Sequence, residues 1–292
     1  MWIYEIYTWR SITFLGLFRN AMRRSVFLLP LFLLSAFLFS CTKDKQEQGV
    51  QPALATAQSM HHMAGLWEMM YLTTSGQASA ILPAGVRVSW VDSTLADWDG
   101  LEFFVDFGKR TKAKPWGSLC RDGYFRSGIY RASLGGDAWV PGLYMALIMN
   151  GKDSCTLSNG KGLYRFEGRM HFQVKPDQLC TVEAAYSVQT PVEKLWLEAA
   201  ATVQLLPDAG TALPAYSLSG NGSLRNQQWQ FLWDTQDLMK KMDEQGSFQT
   251  GAIDAWKGND RFTVDFDPFG NEASDRWMKV WKGRHEFLFE LD

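Results

Sequence analysis

From residue 101 onward the chain keeps returning to one pattern, a run of alternating or aromatic and β-branched residues closed by a turn signal. That recurrence limits the fold more than any other feature. Leu101-Glu102-Phe103-Phe104-Val105-Asp106-Phe107 is stopped by Gly108. At the other end 284–291 alternates, with His285, Phe287, Phe289 and Leu291 on one face and Glu286, Leu288 and Glu290 on the other. Between them the pattern predicts strands near 123–134, 139–149, 163–174, 182–188, 195–205, 214–224, 227–233, 248–256, 260–266 and 277–282. Turn signals separate them: Gly135-Gly136-Asp137, Asn159-Gly160, Pro207-Asp208, Asp267-Pro268 and Gly270-Asn271. Strands that follow one another without long crossovers must pair antiparallel. The expected fold class is therefore mainly β: a single antiparallel meander domain, strongly curved as a sandwich, a barrel or an unclosed half-barrel, with one or two short helices. The helices are expected at 58–71, where Met60, Met63, Leu66 or Trp67, and Met70 recur at helical spacing, and at 234–244, where Leu238, Met239 and Met242 make an apolar stripe.

Upstream of the β-rich part lies a segment of another kind. Met22-Arg23-Arg24-Ser25 opens an apolar run over 26–40, broken by Pro30 and followed by Cys41. A short basic head, an apolar core and a small residue before the cut describe a secretory signal. Such a core reaches about 22 Å as a helix, short of the roughly 30 Å hydrocarbon layer. Leu38-Phe39-Ser40-Cys41 resembles the bacterial lipobox, which implies a diacylglycerol on Cys41 and cleavage just before it. The organisation expected is a leader over 1–40 with its signal peptide in 22–40, Met22 serving as the start, then a lipidated flexible tether over 41–58 and a β-rich domain over 59–292. The tether is polar and lacks periodicity. The expected location is the outer membrane, as a lipoprotein on the periplasmic or the surface face.

Three further stretches carry a family resemblance. Val105-Asp106-Phe107-Gly108, then Cys120-Arg121-Asp122-Gly123 and Arg126-Ser127-Gly128-Ile129, resemble uncharacterised lipoproteins of Bacteroidota, in which a V-D-F-G element precedes a C-x-D-G-x-x-R-x-G strand. The closing Gly283-Arg284-His285-Glu286-Phe287 is similar too. The resemblance implies a β-rich exported lipoprotein and brings no activity with it. This chain departs from the pattern in a long basic loop between the first two elements, with Lys109, Arg110, Lys112 and Lys114.

Of 292 residues, 29 are basic and 31 acidic, a net charge of −2 that argues against a nucleic-acid partner. With Cys41 lipidated, Cys120, Cys155 and Cys180 remain, and buried thiols are the expected state. The one pairing that strand directions leave open is Cys120–Cys155. No cofactor is implied, and the metal candidates are weak. Asp97-Trp98-Asp99-Gly100-Leu101-Glu102 begins like a calcium loop, making Asp97, Asp99 and Glu102 candidates with Asp92 as an added oxygen, but it lacks the further ligands such a loop needs. Met60-His61-His62-Met63 has soft ligands, yet adjacent histidines on a helix diverge. No nucleophile elbow, zinc-protease helix or phosphate loop occurs, and His171 and His285 sit in strand patterns. Trp277 and Trp281 alternate with Lys279 onto one strand face, suited to core packing or to stacking on a sugar.

The expectation is a lipid-anchored envelope protein with a non-enzymatic binding or assembly role. Its partners would be the membrane, through the lipid, and a glycan, a lipid or another envelope protein. The alternative is a polysaccharide-acting hydrolase of the envelope, which would need two carboxylates about 5–10 Å apart in a cleft.

Overall fold

The computed structural model describes residues 49–77, 82–92, 101–120, 123–135, 139–150, 155–206, 213–242, 248–270 and 277–290. The leader and Cys41 lie outside them. Val50–Asp292 forms one compact unit. It opens with a single helix, α1 (Gln51–Thr74), followed by β1 (Arg87–Asp92), β2 (Leu101–Asp106), β3 (Ser118–Leu119), β4 (Phe125–Ser127) and β5 (Ile129–Gly135). Next come β6 (Tyr144–Met149), β7 (Thr156–Ser158), β8 (Leu163–Val174), β9 (Leu179–Gln189), β10 (Lys194–Leu205) and β11 (Ala215–Arg225). The chain ends with β12 (Gln230–Lys241), β13 (Thr250–Lys257), β14 (Asp260–Asp265), β15 (Trp277–Lys282) and β16 (His285–Glu290).

All sixteen strands join one antiparallel sheet, mostly in chain order: β1-β2-β5-β6-β8 and then β9 through β16. A small annex, β3-β4-β7, hangs on the first residues of β8. β1 and β16 end the path without pairing to each other, so the sheet is a curved, unclosed meander rather than a barrel. Two hairpins close through two-residue turns, Lys257 facing Asp260 and Lys282 facing His285. In each the first turn residue is a glycine, Gly258 at φ 59° and Gly283 at φ 61°. Glycine at that position gives the type II′ turn, whose twist matches that of the flanking strands.

The concave face of the sheet is filled by α1. From Ser59 to Met70 every residue of the helix is buried, polar ones included. A helix buried all round has no apolar stripe to display, and side chains reach it from many strands. Tyr186 of β9 donates to the Ser59 carbonyl at 3.5 Å, and Tyr216 of β11 lies 4.7 Å from Trp67, ring to ring. Trp139, just before β6, packs 4.5 Å from Tyr71 and donates its indole N–H to Thr74 Oγ1 at 2.8 Å. None of the described helices is long and apolar enough to cross a membrane.

Three expectations change. The helix begins at Gln51, so residues 51–58 belong to the fold rather than to the tether. The helix expected at 234–244 is instead the second half of β12. A β-bulge there puts Asp237 at φ 52° and shifts the register between Gln236 and Met239. Leu238 is buried and Met239 points to solvent, so their spacing comes from the bulge and not from a helical turn. Finally, 123–134 is two strands. Gly128, at φ 88°, breaks it, giving its N–H to the Gly108 carbonyl at 2.8 Å and taking the Phe107 N–H at 3.0 Å. The stretches Val105-Asp106-Phe107-Gly108 and Arg126-Ser127-Gly128-Ile129 are thus two sides of one corner.

That break also removes the Cys120–Cys155 disulfide. Leu119 pairs with Phe125 on one edge of β4, and Thr156 pairs with Ser127 on the other. The cysteines therefore flank β4 from opposite sides, two strand spacings of about 4.8 Å apart before any offset along it, beyond the roughly 6 Å a disulfide spans. Cys120, Cys155 and Cys180 are buried thiols, Cys155 donating to the Ile129 carbonyl at 2.9 Å. Burial pushes the Cys180 thiol up to about 11, outweighing hydrogen bonds from Trp67 and the Gln173 backbone that lower it. Because the folded value is the higher one, this thiol stabilises the fold fully below its ordinary range, and that contribution is lost as the pH rises toward about 11. At pH 8 an alkylating reagent should leave all three thiols intact in the native protein and modify them in denaturant. Rapid native labelling of any one would contradict the packing.

Candidate functional site

In an antiparallel meander alternate turns meet at the same end. The turns joining β9 to β10, β11 to β12, β13 to β14 and β15 to β16 therefore lie at one end of the sheet, and the first two of them meet the start of α1. At this end the sheet leaves the helix incompletely covered, and a cleft of about 430 Å³ opens. Its floor is the first two turns of α1, with Gln51, Leu54, Ala55 and Gln58. One wall is Tyr164 of β8, Leu195 of β10 and the turn at 190–193; the other is Met278 of β15 and Phe289 of β16, with Trp229 between them.

The rim is fixed by its own hydrogen bonds. Thr190 Oγ1 accepts the N–H groups of Val192 at 3.2 Å and Glu193 at 3.0 Å. Asn226 Oδ1 accepts those of Gln228 at 2.8 Å and Trp229 at 2.9 Å. The Asn226 amide then donates to the Glu193 carboxylate, clamping the two turns together. Val192 stands at the tip, 88% exposed. On the outer side of the clamp a second hollow of about 410 Å³ is lined by Lys194, Trp196, Gln227 and Gln228. The main cleft has aliphatic and aromatic walls with amide and hydroxyl groups at the rim. Its one carboxylate, Glu193, is the one Asn226 holds. Such a lining suits an apolar body with a neutral polar end.

The residues singled out from sequence are elsewhere. Trp277 and Trp281 do share the outer face of β15, Trp277 39% exposed, with Lys279 over the Trp281 ring at 5.5 Å and paired to Glu286 at 3.1 Å. Met278, on the same strand, points the other way into the cleft. Asp97 and Asp99 lie outside the described residues, as does the side chain of Asp92. Glu102, the remaining calcium candidate, is ion-paired with Arg131 at 2.5 Å. Among the described residues no group of three or more His, Cys, Asp or Glu side chains is placed to hold a metal. His61 and His62 are buried in aromatic surroundings, both within ring contact of Tyr124, His61 also of Phe248 and His62 of Tyr164 and Phe166. His171 is hydrogen-bonded through Nδ1 to the Tyr144 hydroxyl on the outer sheet face, and His285 is exposed beside the last hairpin turn.

Two carboxylates do face each other, Asp234 on β12 and Asp254 on β13, but on the outer face and not in a cleft. Burial alone would raise the Asp254 carboxyl. Hydrogen bonds from Arg261 at 2.7 Å and Thr263 at 2.6 Å, with the guanidinium charge, outweigh it and hold the carboxyl below its ordinary value. A group held ionised in this way is a poor proton donor.

No family model, curated protein or solved structure matches this chain. The functional reading therefore stands on the geometry.

Proposed function

We propose that this chain is a lipid-anchored envelope protein with a non-enzymatic binding role, holding an apolar ligand with a neutral polar end in the cleft at the start of α1. The observation that carries the reading is the cleft itself: aliphatic and aromatic walls, uncharged rim groups and a single carboxylate already bound by Asn226. Acyl-chain lipids have that chemistry. The hydrolase alternative finds its facing carboxylates on an open sheet surface, one of them clamped by Arg261. Anchoring through Cys41 puts the protein on the outer membrane, where such ligands are in reach.

Two measurements test this. Native mass spectrometry of the mature protein, released from detergent, should show a non-covalent lipid, and a fluorescent fatty-acyl probe should bind with Trp229→Ala weakening it about tenfold. Binding unchanged by Trp229→Ala, or no binding at all, overturns the cleft assignment. Preference for an oligosaccharide lost on Trp277→Ala would move the ligand to the outer face of β15. The intact mass should begin at Cys41 with a diacylglycerol added, and a mass retaining residues before Cys41 would remove the anchor from the reading.

A further inference from the structure

We infer that the end of the sheet where α1 begins is a docking face for an anionic lipid surface, because that end gathers exposed cations and apolar tips around the point where the tether joins the fold. β2 runs toward this end, and the loop after it presents Lys109, Arg110, Lys112 and Lys114, all exposed. The hairpin turns at the same end add Lys161, Lys257 and Arg284, exposed as well. Of the described acidic residues in these turns, Glu193 is held by Asn226, and Asp260 is paired with Lys282 at 3.5 Å. The turns at the opposite end carry, among the described residues, Lys175, Asp177 and Asp267. Among the described turns, the end where α1 begins therefore carries more cations than the opposite end.

The basic loop is built to present them. Thr111 and Lys114 exchange backbone hydrogen bonds at 3.2 and 3.1 Å, and the Gly117 N–H closes on the Lys114 carbonyl at 3.2 Å. Leu119, 53% exposed, flanks the loop, and Val192 stands out on the β9–β10 turn, so apolar tips project from the same end as the cations. This mixture is that of segments seated at a lipid headgroup layer. The tether selects the occupant. Residues 42–49 separate Cys41 from the fold and span at most about 28 Å, and they join it at this same pole. A lipid on Cys41 would hold the basic end within reach of the membrane, and the cleft opens on that side.

The inference rests on the proposed lipid at Cys41 and on the charge distribution, not on what the cleft binds. The test uses the mature lipidated protein reconstituted in vesicles of about one-third phosphatidylglycerol in phosphatidylcholine, labelled with a water-soluble amine reagent. Each basic residue near an anionic surface contributes about fivefold in binding. Labelling of Lys109, Lys112 and Lys114 should therefore slow at least about fivefold relative to Lys175, and the difference should vanish in high salt. Combined Lys109→Glu, Lys112→Glu and Lys114→Glu should abolish the protection of the remaining rim lysines Lys161 and Lys257 while leaving the melting temperature unchanged. Equal labelling at the two poles, or equal protection on pure phosphatidylcholine, overturns the inference. So does stronger protection by a soluble polyanion such as heparin than by the vesicles. Trp229→Ala should not alter the labelling pattern, which separates this result from failure of the cleft reading.

Discussion

Glu68→Ala should lower the stability of the fold by about 3–5 kcal/mol, a large share of what a domain of this kind possesses. Glu68 and Lys240 are each 1% exposed, with Lys240 Nζ 2.9 Å from Glu68 Oε1. The Tyr216 hydroxyl donates to the same oxygen at 2.6 Å. Burial and the adjacent carboxylate push the Tyr216 hydroxyl far up, so it stays a neutral donor. Removing the carboxylate strands a buried ammonium and a buried hydroxyl together, and neither can reach water. Replacing the whole set, Glu68→Leu with Lys240→Met and Tyr216→Phe, removes every polar group at once and should bring stability back to within about 1–2 kcal/mol of the native chain. Guanidinium unfolding of the three proteins reads the difference directly. A Glu68→Ala midpoint close to wild type would mean that the pair is solvated. The triad also has a positional role. α1 is enclosed by apolar and aromatic side chains that would tolerate a slide along its axis, whereas an ion pair to β12 and a hydrogen bond to β11 fix one height. The triple replacement should accordingly keep stability while loosening α1, seen as faster amide exchange in the helix.

Much of this was legible in the sequence, because a half-buried strand writes its two faces into a period of two. β10, β14 and β16 read directly, although the glycines that turn the two tight hairpins, Gly258 and Gly283, were not among the turn signals. What misled were places where the sheet departs from that period. The bulge at Asp237 brings Leu238 and Met242 into the core with a spacing that mimics a helix, although Met239 faces solvent. Gly128 divides what reads as one strand, and with it went the strand-direction argument that left Cys120–Cys155 open. α1 was found but cut short, since a helix enclosed on all sides shows no polar face to mark its limits; its early turns, rich in Gln, Ala and Ser, look like a tether. The cleft left no linear trace. Its lining comes from one helix and six strands or turns far apart in the chain, and Trp229, the residue that closes it, reads as one more aromatic near a turn. Glu68 gave no signal either, because one acid among apolar neighbours looks the same whether it faces water or a buried lysine.

Gly168→Ala should destabilise by about 4 kcal/mol, while Gly258→Ala should cost about 1 kcal/mol, although both glycines have positive φ. At Gly258 a Cβ meets nothing within 4 Å, so only the φ of 59° resists it. At Gly168 the φ is 142°, and a Cβ would lie 2.4 Å from the Ala185 carbonyl oxygen and 2.5 Å from Tyr186 Cα. Those are backbone atoms of the paired strand β9, which cannot swing aside as a side chain would. Gly168 sits where β8 exchanges one neighbour for another, pairing with β7 through Leu163–Arg165 and with β6 from Gly168 onward. β11 repeats the device: a Cβ on Gly222 would lie 2.2 Å from the Glu198 carbonyl oxygen and 2.7 Å from the buried Trp233 ring. Close strand approach at glycines lets the sheet bend tightly enough to wrap a helix. Displacing β9 at Tyr186 would also withdraw the hydroxyl that reaches Ser59 on α1. Gly168→Ala should therefore show two changes together, a lowered denaturant midpoint and binding of a hydrophobic dye by the native state as the concave face opens. A lowered midpoint without dye binding would place the strain in β8 alone and leave the curvature unexplained by its glycines.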